Sequence, residues 1–250
     1  MSHYAVLVLH KENQDIDEML APYNENLEVE PYLEYTKEQA IERMKEIFNF
    51  EYTTEEAFRE EAEDWFGSKL DEKGDVYSTY NPKSKWDWYQ IGGRFNGMLT
   101  LINSDLKPNY GYATDDFSSN ENNGVNSAFV RHVKWYTPLT EKEKQDIIKW
   151  WNINVENQPG EKDEYFFYKP EWFKQRYKNV ETYIKIQETL TFRSVVTPDG
   201  EWYEPGKMGW WGCSLSSPED DLEWDLHFKE RFIDPIDDFD LVATVVDCHI

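Results

Sequence analysis

The residues best suited to chemistry lie in the stretch WDWYQIGGRFNG, which begins at Trp86. Gly92 and Gly93 permit backbone conformations that other residues avoid, and successive amides in such a turn can surround an anion. Arg94 follows them directly. The stretch therefore predicts a site for a phosphate or carboxylate group, with Trp86 or Trp88 stacked on a ring of the same ligand.

The local charge also favours an anionic ligand. Lys83, Lys85 and Arg94 against Asp87 give a local net charge of +2 in a chain whose formal net charge is −24. The stretch matches neither GxxxxGK[ST] nor GxGxxG, so it indicates no particular nucleotide-binding family. A structural alternative stays open, in which Arg94 pairs with Asp87 or another acid and the rings belong to the core.

A second cluster of glycine and tryptophan spans the segment EPGKMGWWG, from Glu204 to Gly212. Its composition is typical of an irregular loop that forms a lid, a wall of a ligand site or a protein contact, since tryptophan is a favoured interface anchor. We expect Trp210 and Trp211 to contribute to ligand binding, with core packing as the alternative.

The C-terminal residues Asp247, Cys248 and His249 end a predicted buried strand. Side chains alternate along a strand, so Asp247 and His249 share one face and can form an acid–base pair, with Asp87 as a further catalytic candidate. The histidines are scattered without HExxH spacing, and neither Cys213 nor Cys248 belongs to a CxxC pair. We therefore expect neither a metal ion nor another cofactor.

The acidic charge is concentrated in two regions. Residues 12–75 carry 21 acidic and 6 basic residues, and residues 215–240 carry 10 and 2. Such a field repels nucleic acid and anionic membranes and attracts basic partners. It is either a solubilising surface or an imitation of DNA that occupies the basic groove of a nucleic-acid-handling protein.

The hydrophobic pattern predicts an α+β fold with a mixed, largely antiparallel central sheet and about five helices around it, in a single domain spanning residues 1–250. Tyr4–Leu9 and Leu241–Cys248 are expected as paired strands inside the sheet. Further strands are expected at Gly97–Ile102 and Ala128–Val133, and a hairpin at Thr191–Tyr203. The helices are expected to begin at Thr36, Thr53, Thr140, Pro170 and Ser217, and residues 115–126 are expected to form a loop.

The start of the chain lacks the pattern of a signal peptide, and no run approaches the about 18 apolar residues of a membrane span. With only two cysteines and no disulfide framework, the sequence favours a reduced, cytoplasmic protein.

Five blocks resemble a family of phage- and prophage-associated proteins. They are MSHYAVLVL, LAPYNENLEVEPY, YNPKSKWDWYQIGGRFNGML, TFRSVVTPDGEWYEPGKMGWWG and VDCHI. The resemblance covers the chain from end to end in blocks. It implies a phage accessory protein in the cytoplasm of a bacterial host and supplies no catalytic residues.

Two functions follow from these features. The first is a non-enzymatic inhibitor of a host defence system, such as a CRISPR effector, that binds a basic host protein through the acidic surface. The second is a protein that sequesters or hydrolyses a small phosphorylated ligand, such as a nucleotide signal. In the second, Arg94 binds phosphate, a tryptophan stacks on the base, and Asp247 with His249 transfers protons.

Overall fold

The structure is a computed structural model that describes residues 2–67, 70–103, 106, 124–163, 168–206, 215–238 and 240–250. The chain divides into two compact units, one formed by Met1–Ala21 with Lys85–Ile250 and the other by Pro22–Ser84. The single domain expected from the sequence stays a prediction.

The described residues contain ten strands and seven α-helices. The strands are β1 (His3–Lys11), β2 (Tyr32–Tyr35), β3 (Val76–Ser78), β4 (Trp88–Ile91), β5 (Leu99–Thr100), β6 (Gly124–Val125), β7 (Ser127–Phe129), β8 (Ser194–Val196), β9 (Trp202–Tyr203) and β10 (Leu241–His249). The helices are α1 (Ile16–Leu20), α2 (Lys37–Phe48), α3 (Glu55–Phe66), α4 (Glu141–Asn154), α5 (Pro170–Tyr177), α6 (Val180–Gln187) and α7 (Pro218–Phe232).

The larger unit is built on a six-stranded sheet with the order β4-β10-β1-β8-β9, in which β7 also pairs with β10. Strands β1 and β10 run antiparallel from His3 opposite His249 to Lys11 opposite Leu241. Among the strand pairs of the described residues, only that of β1 with β8 is parallel. The predicted α+β fold, with a largely antiparallel sheet and the first and last strands inside it, is confirmed.

Alternation along the central strands separates the two faces of this sheet. Leu7 of β1 and Val245 of β10 point to one face and pack with Trp224 and Phe228 of α7 in a hydrophobic core. The Trp224 indole donates a hydrogen bond to the Phe192 carbonyl at 2.8 Å, which satisfies its polar atom inside that core.

The smaller unit places α2 and α3 beside the two-stranded sheet of β2 and β3. Its core consists of Ala40, Met44, Phe58, Ala62 and Val76, none of which is exposed to solvent. The expected capping box at Thr36 is present, with Gln39 as its partner. The expected start of the next helix at Thr53 was wrong by one residue, because Thr54 is the N-cap and accepts from the Ala57 amide.

The described residues hold two more helices than the expected five. The helix expected from Pro170 through Ile184 is interrupted at Lys178, where φ is +64°, and Asn179 caps a new helix by accepting from the Thr182 amide. The short helix α1 has only three buried residues. So short a segment does not show a helical period in the sequence, and it was therefore not predicted.

The expected hairpin around Thr191–Tyr203 is confirmed by the pairing of β8 with β9. The expected strand at Ala128–Val133 ends early, because residues Val130–His132 form a 3-10 turn. Of the loop expected at residues 115–126, only the last three residues are described. They are buried, and Gly124 and Val125 pair with β5 instead of lying in a solvated loop.

Candidate functional site

A polar depression of about 430 Å³ opens in the larger unit, where β1 begins, β4 begins and β10 ends. Its lining consists of His3, Trp88, Gln90, Gly93, Arg94, Asn96 and Asp247. Its volume lies in the range of typical ligand sites. Two of the sequence blocks with candidate chemistry, WDWYQIGGRFNG and VDCHI, therefore meet at one place.

Strand register explains why these side chains converge. Residues directly opposite in antiparallel strands point to the same face. His249 faces His3 of β1 on one side and Trp88 of β4 on the other, while Asp247 faces Gln90. The same face carries Val245 farther along β10, so the depression is the polar end of the face whose apolar part forms the core.

Asp247 and His249 share a face as predicted, but they do not pair with each other. Asp247 lies 2.9 Å from His3 Nδ1, and His249 Nδ1 lies 2.6 Å from Asp87 Oδ1. The ring centroids of His3 and His249 are 5.0 Å apart. The structure thus builds two neighbouring histidine–aspartate pairs rather than the one pair that the sequence suggested.

The His3–Asp247 pair is almost fully enclosed on the aspartate side. Asp247 is only 2% exposed, and its second oxygen, Oδ2, accepts the backbone N–H of Arg94 at 2.9 Å. A carboxylate can only accept, so His3 donates through Nδ1–H, and in the neutral tautomer that makes this bond Nε2 carries the free lone pair. Among the described residues, Nε2 of His3 has no hydrogen-bond partner.

Glycine is required at both positions 92 and 93, because other side chains approach each of them closely. Gly92 and Gly93 have φ of +74° and +50°. A Cβ on Gly93 would lie 2.4 Å from Asp247 Oδ2, and one on Gly92 would lie 2.3 Å from the Asn126 side chain. The predicted backbone conformation of these glycines is present, and the Arg94 amide that follows them binds the Asp247 carboxylate. Their predicted role in ligand binding stays a prediction.

The second pair, Asp87 with His249, supports the aromatic wall. His249 is 4% exposed and does not line the depression, whereas its ring stacks on Trp88 with centroids 5.0 Å apart and planes at 17°. Trp88 is 44% exposed, which is unusual for so large an apolar side chain. Asp87 also accepts the Trp88 backbone N–H at 2.8 Å, so this pair fixes the position of the indole.

Arg94 is exposed at the rim of the depression. The described part of the chain offers no ion pair and no hydrogen bond to its guanidinium group, since only its backbone amide is bonded. The structural alternative in which Arg94 pairs with Asp87 does not hold, because Asp87 is bonded to His249.

The other predicted ligand-binding residues lie elsewhere or are not described. Lys85 forms an ion pair of 2.7 Å with Glu204, and Trp86 is buried with its indole donating to the Leu20 carbonyl. Neither lines the depression. Trp210 and Trp211 lie outside the described residues.

Cys248 is a core residue. It is fully buried on the opposite face of β10, and burial raises the pKa of its thiol far above the usual range, which makes it a poor nucleophile. The described residues include no cluster of three or more potential ligands placed to hold a metal ion, while Cys213 lies outside them.

A larger depression of about 630 Å³ lies beside α7. Its charged lining consists of Glu204, Asp220, Glu223 and Arg231, and this acidic surplus opposes an anionic ligand. We therefore place the candidate site at the polar depression.

Sequence reasoning missed His3, Gln90 and Asn96 as lining residues. His3 could have been found by extending the predicted pairing of the terminal strands to their register, which sets it opposite His249. Gln90 lies on β4, a strand that the sequence did not predict. Asn96 carried no such signal. It accepts a hydrogen bond from Asn126 Nδ2 at 2.8 Å, and Asn126 also holds the Gly97 amide, so a distant residue positions this turn.

No protein-family model, curated protein or solved structure matches the chain. The helices of the described residues are all too short or too polar to cross a lipid bilayer.

Proposed function

We propose that the polar depression binds a small phosphorylated ligand that carries an aromatic base, such as a nucleotide. The observation that carries this proposal is Arg94, an exposed guanidinium with no ion pair among the described residues, at the rim of a depression walled by an exposed Trp88. Guanidinium groups bind phosphate in a bidentate manner, and indole rings stack on bases. Gln90 and Asn96 add hydrogen-bonding groups that can select the ligand.

The proposal is tested by calorimetry with mono-, di- and cyclic nucleotides and with inorganic phosphate. Binding of at least one nucleotide is expected, and Arg94→Ala should weaken it by about 10- to 100-fold, because a charged hydrogen bond contributes about 1.5–3 kcal/mol. Arg43→Ala is the matched control, since Arg43 is also exposed but pairs with Glu46 on α2. Absence of binding by every nucleotide, or equal binding by Arg94→Ala, would refute the proposal.

A second function, inhibition of a basic host protein, is favoured by the acidic face of α3. This face, named here the α3 acidic face, consists of exposed residues that have no ion pair among the described residues: Glu56, Glu60, Glu61, Glu63 and Asp64. The last turn of α3 contains no basic residue, so Glu63 and Asp64 oppose the helix dipole. Carboxylates spaced three or four residues apart also repel one another.

Such an arrangement costs stability and is therefore better explained by binding than by folding. The partner would be a nucleic-acid-handling protein of the host cell, in keeping with the resemblance to phage proteins. Glu60→Gln, Glu61→Gln and Glu63→Gln together should raise the free energy of unfolding by a few tenths of a kcal/mol. The same triple variant should abolish any salt-sensitive capture of such a partner.

Glu161→Gln, Glu171→Gln and Glu181→Gln together make the control, because these three acids are also exposed and lie outside the α3 acidic face. Capture that is equally strong with both triple variants, or that is insensitive to salt, would contradict the second function.

A further inference from the structure

His3 is placed as a base rather than as a structural histidine. Its Nδ1–H donates to Asp247, and its Nε2 belongs to a ring that lines the polar depression. An imidazole held by a carboxylate through one nitrogen, with the other nitrogen turned to a ligand, is the arrangement that serves general-base catalysis. The described residues offer no partner for Nε2, so the fold itself does not use this nitrogen.

Asp247 is fixed more firmly than a structural role requires. One of its oxygens accepts from His3 and the other accepts the Arg94 amide, while Gly93 closes against its side chain. Burying a carboxylate is costly even when it is hydrogen-bonded, and an apolar residue at the end of a buried strand would avoid that cost. The cost is explained if the carboxylate orients His3 and stabilises the positive charge that the ring acquires when it takes up a proton.

The charges around the depression indicate the class of ligand. Its charged lining consists of Arg94 and Asp247, with His3 neutral in its basic form. These two charges cancel, and the field of the strongly acidic chain disfavours each further negative charge on the ligand. A phosphodiester carries one negative charge near neutral pH, whereas a phosphomonoester carries nearly two. The diester is therefore the better match.

We propose that the depression hydrolyses a phosphodiester, with His3 as the general base and Asp247 as its positioning residue; this proposal rests on the ligand binding proposed above. His3 Nε2 takes a proton from water as the water oxygen attacks phosphorus. The bond from phosphorus to one ester oxygen breaks, and the leaving alkoxide takes that proton back from His3. The products are a phosphomonoester and an alcohol, and Arg94 neutralises the charge on the non-bridging oxygens.

The test uses the full chain with cyclic AMP, a dinucleoside phosphate and bis(nitrophenyl) phosphate, and it measures binding and product formation separately. We expect hydrolysis of at least one probe. His3→Gln keeps a donor for Asp247 but no base, so it should lower the rate by about 100-fold or more and leave binding within a few-fold. His227→Gln, at an exposed histidine of α7, is the control and should change neither quantity.

The possible failures are distinct. A probe that binds in an Arg94-dependent manner but is not cleaved overturns the catalytic proposal and leaves ligand binding standing. Cleavage that His3→Gln leaves unchanged overturns the role of His3. Absence of binding by all probes overturns both proposals. If Asp247→Asn lowers the rate but keeps the same pH profile as the parent chain, Asp247 is not the positioning residue.

Discussion

The two histidines of β1 occupy opposite faces and opposite ends of the same strand, and their surroundings differ in one decisive respect. His10 uses both ring nitrogens inside the protein: Nε2 lies 2.8 Å from Thr244 Oγ1, and Nδ1 lies 2.9 Å from the Lys11 carbonyl. His3 uses one nitrogen on Asp247 and presents the other to the polar depression. Residue type and strand position alone would not separate these two roles.

The partner on β10 makes the difference. Thr244 is fully buried, and its hydroxyl also contacts the Ser127 hydroxyl at 2.5 Å, so that His10, Thr244 and Ser127 each have a hydrogen-bond partner. Asp247 is equally buried but faces a depression open to solvent. One end of the β1–β10 pair therefore satisfies its polar groups internally, and the other end leaves polar groups available for a ligand.

The largest expected effect comes from Gly93→Ala. The added Cβ would meet the Asp247 carboxylate, and φ of +50° is unfavourable for alanine. We expect the free energy of unfolding to fall by about 3 kcal/mol and ligand binding to be lost. Gly200→Ala is the matched control, because Gly200 has φ of +83° with no atom within 4 Å of the added Cβ. Gly200→Ala should lower the free energy of unfolding by about 1 kcal/mol, as measured by urea unfolding. Equal losses of unfolding free energy in the two variants would show that Asp247 is not held tightly against Gly93.

Thr244→Val should affect stability alone. It removes the hydroxyl between His10 and Ser127 and leaves two buried polar groups without that partner. The free energy of unfolding should fall by about 1–3 kcal/mol, while nucleotide binding measured by calorimetry stays unchanged. A loss of binding in this variant would mean that the two ends of the strand pair are coupled.

The pH dependence of the free energy of unfolding should reveal the lowered pKa of His10. Burial lowers the pKa of His10, with the hydrogen bond at Lys11 opposing the shift. The folded chain therefore favours the neutral ring. The contribution of the neutral His10 ring to the free energy of unfolding is complete above the unfolded-state pKa of about 6.5. It declines as the pH falls from there to the lower folded-state pKa. The decline should reach up to about 1.4 kcal/mol per pH unit, and His10→Gln should remove this component from urea unfolding curves. An unchanged curve in His10→Gln would contradict the assignment.

The smallest effect on stability is expected from Arg94→Ala. Its side chain is exposed and has no ion pair among the described residues, so the free energy of unfolding should change by less than about 0.5 kcal/mol. A larger loss in thermal or urea unfolding would show that the guanidinium stabilises the fold and is not free for a ligand.

Much of the fold was predictable because its signals are local. The apolar runs at the two ends of the chain predicted the central strands. The capping-box patterns at Thr36 and Thr140, and the pair Ser217–Pro218, predicted three helix starts. The break at Lys178 was not predictable, since a left-handed lysine has no sequence signal comparable to glycine.

The candidate site was predictable only in part, because pairing depends on register. Alternation correctly set Asp247 and His249 on one face, but their partners, His3 and Asp87, come from other strands or their flanks. The ion pair of Lys85 with Glu204 joins residues far apart in the sequence. Composition could therefore mark a basic segment without showing that Arg94, and not Lys85, lies at the depression.

The central claim, that the His3 end of the strand pair binds a ligand and the His10 end does not, is tested most directly by histidine-ring NMR. The ring signals of His3 and His10 would be followed as AMP, cyclic AMP or inorganic phosphate is added to millimolar concentration. We expect the His3 signals to shift saturably with at least one nucleotide, the His10 signals to stay in place, and Arg94→Ala to abolish the response. Unchanged His3 signals with every probe, or the same shifts in Arg94→Ala, would contradict the claim.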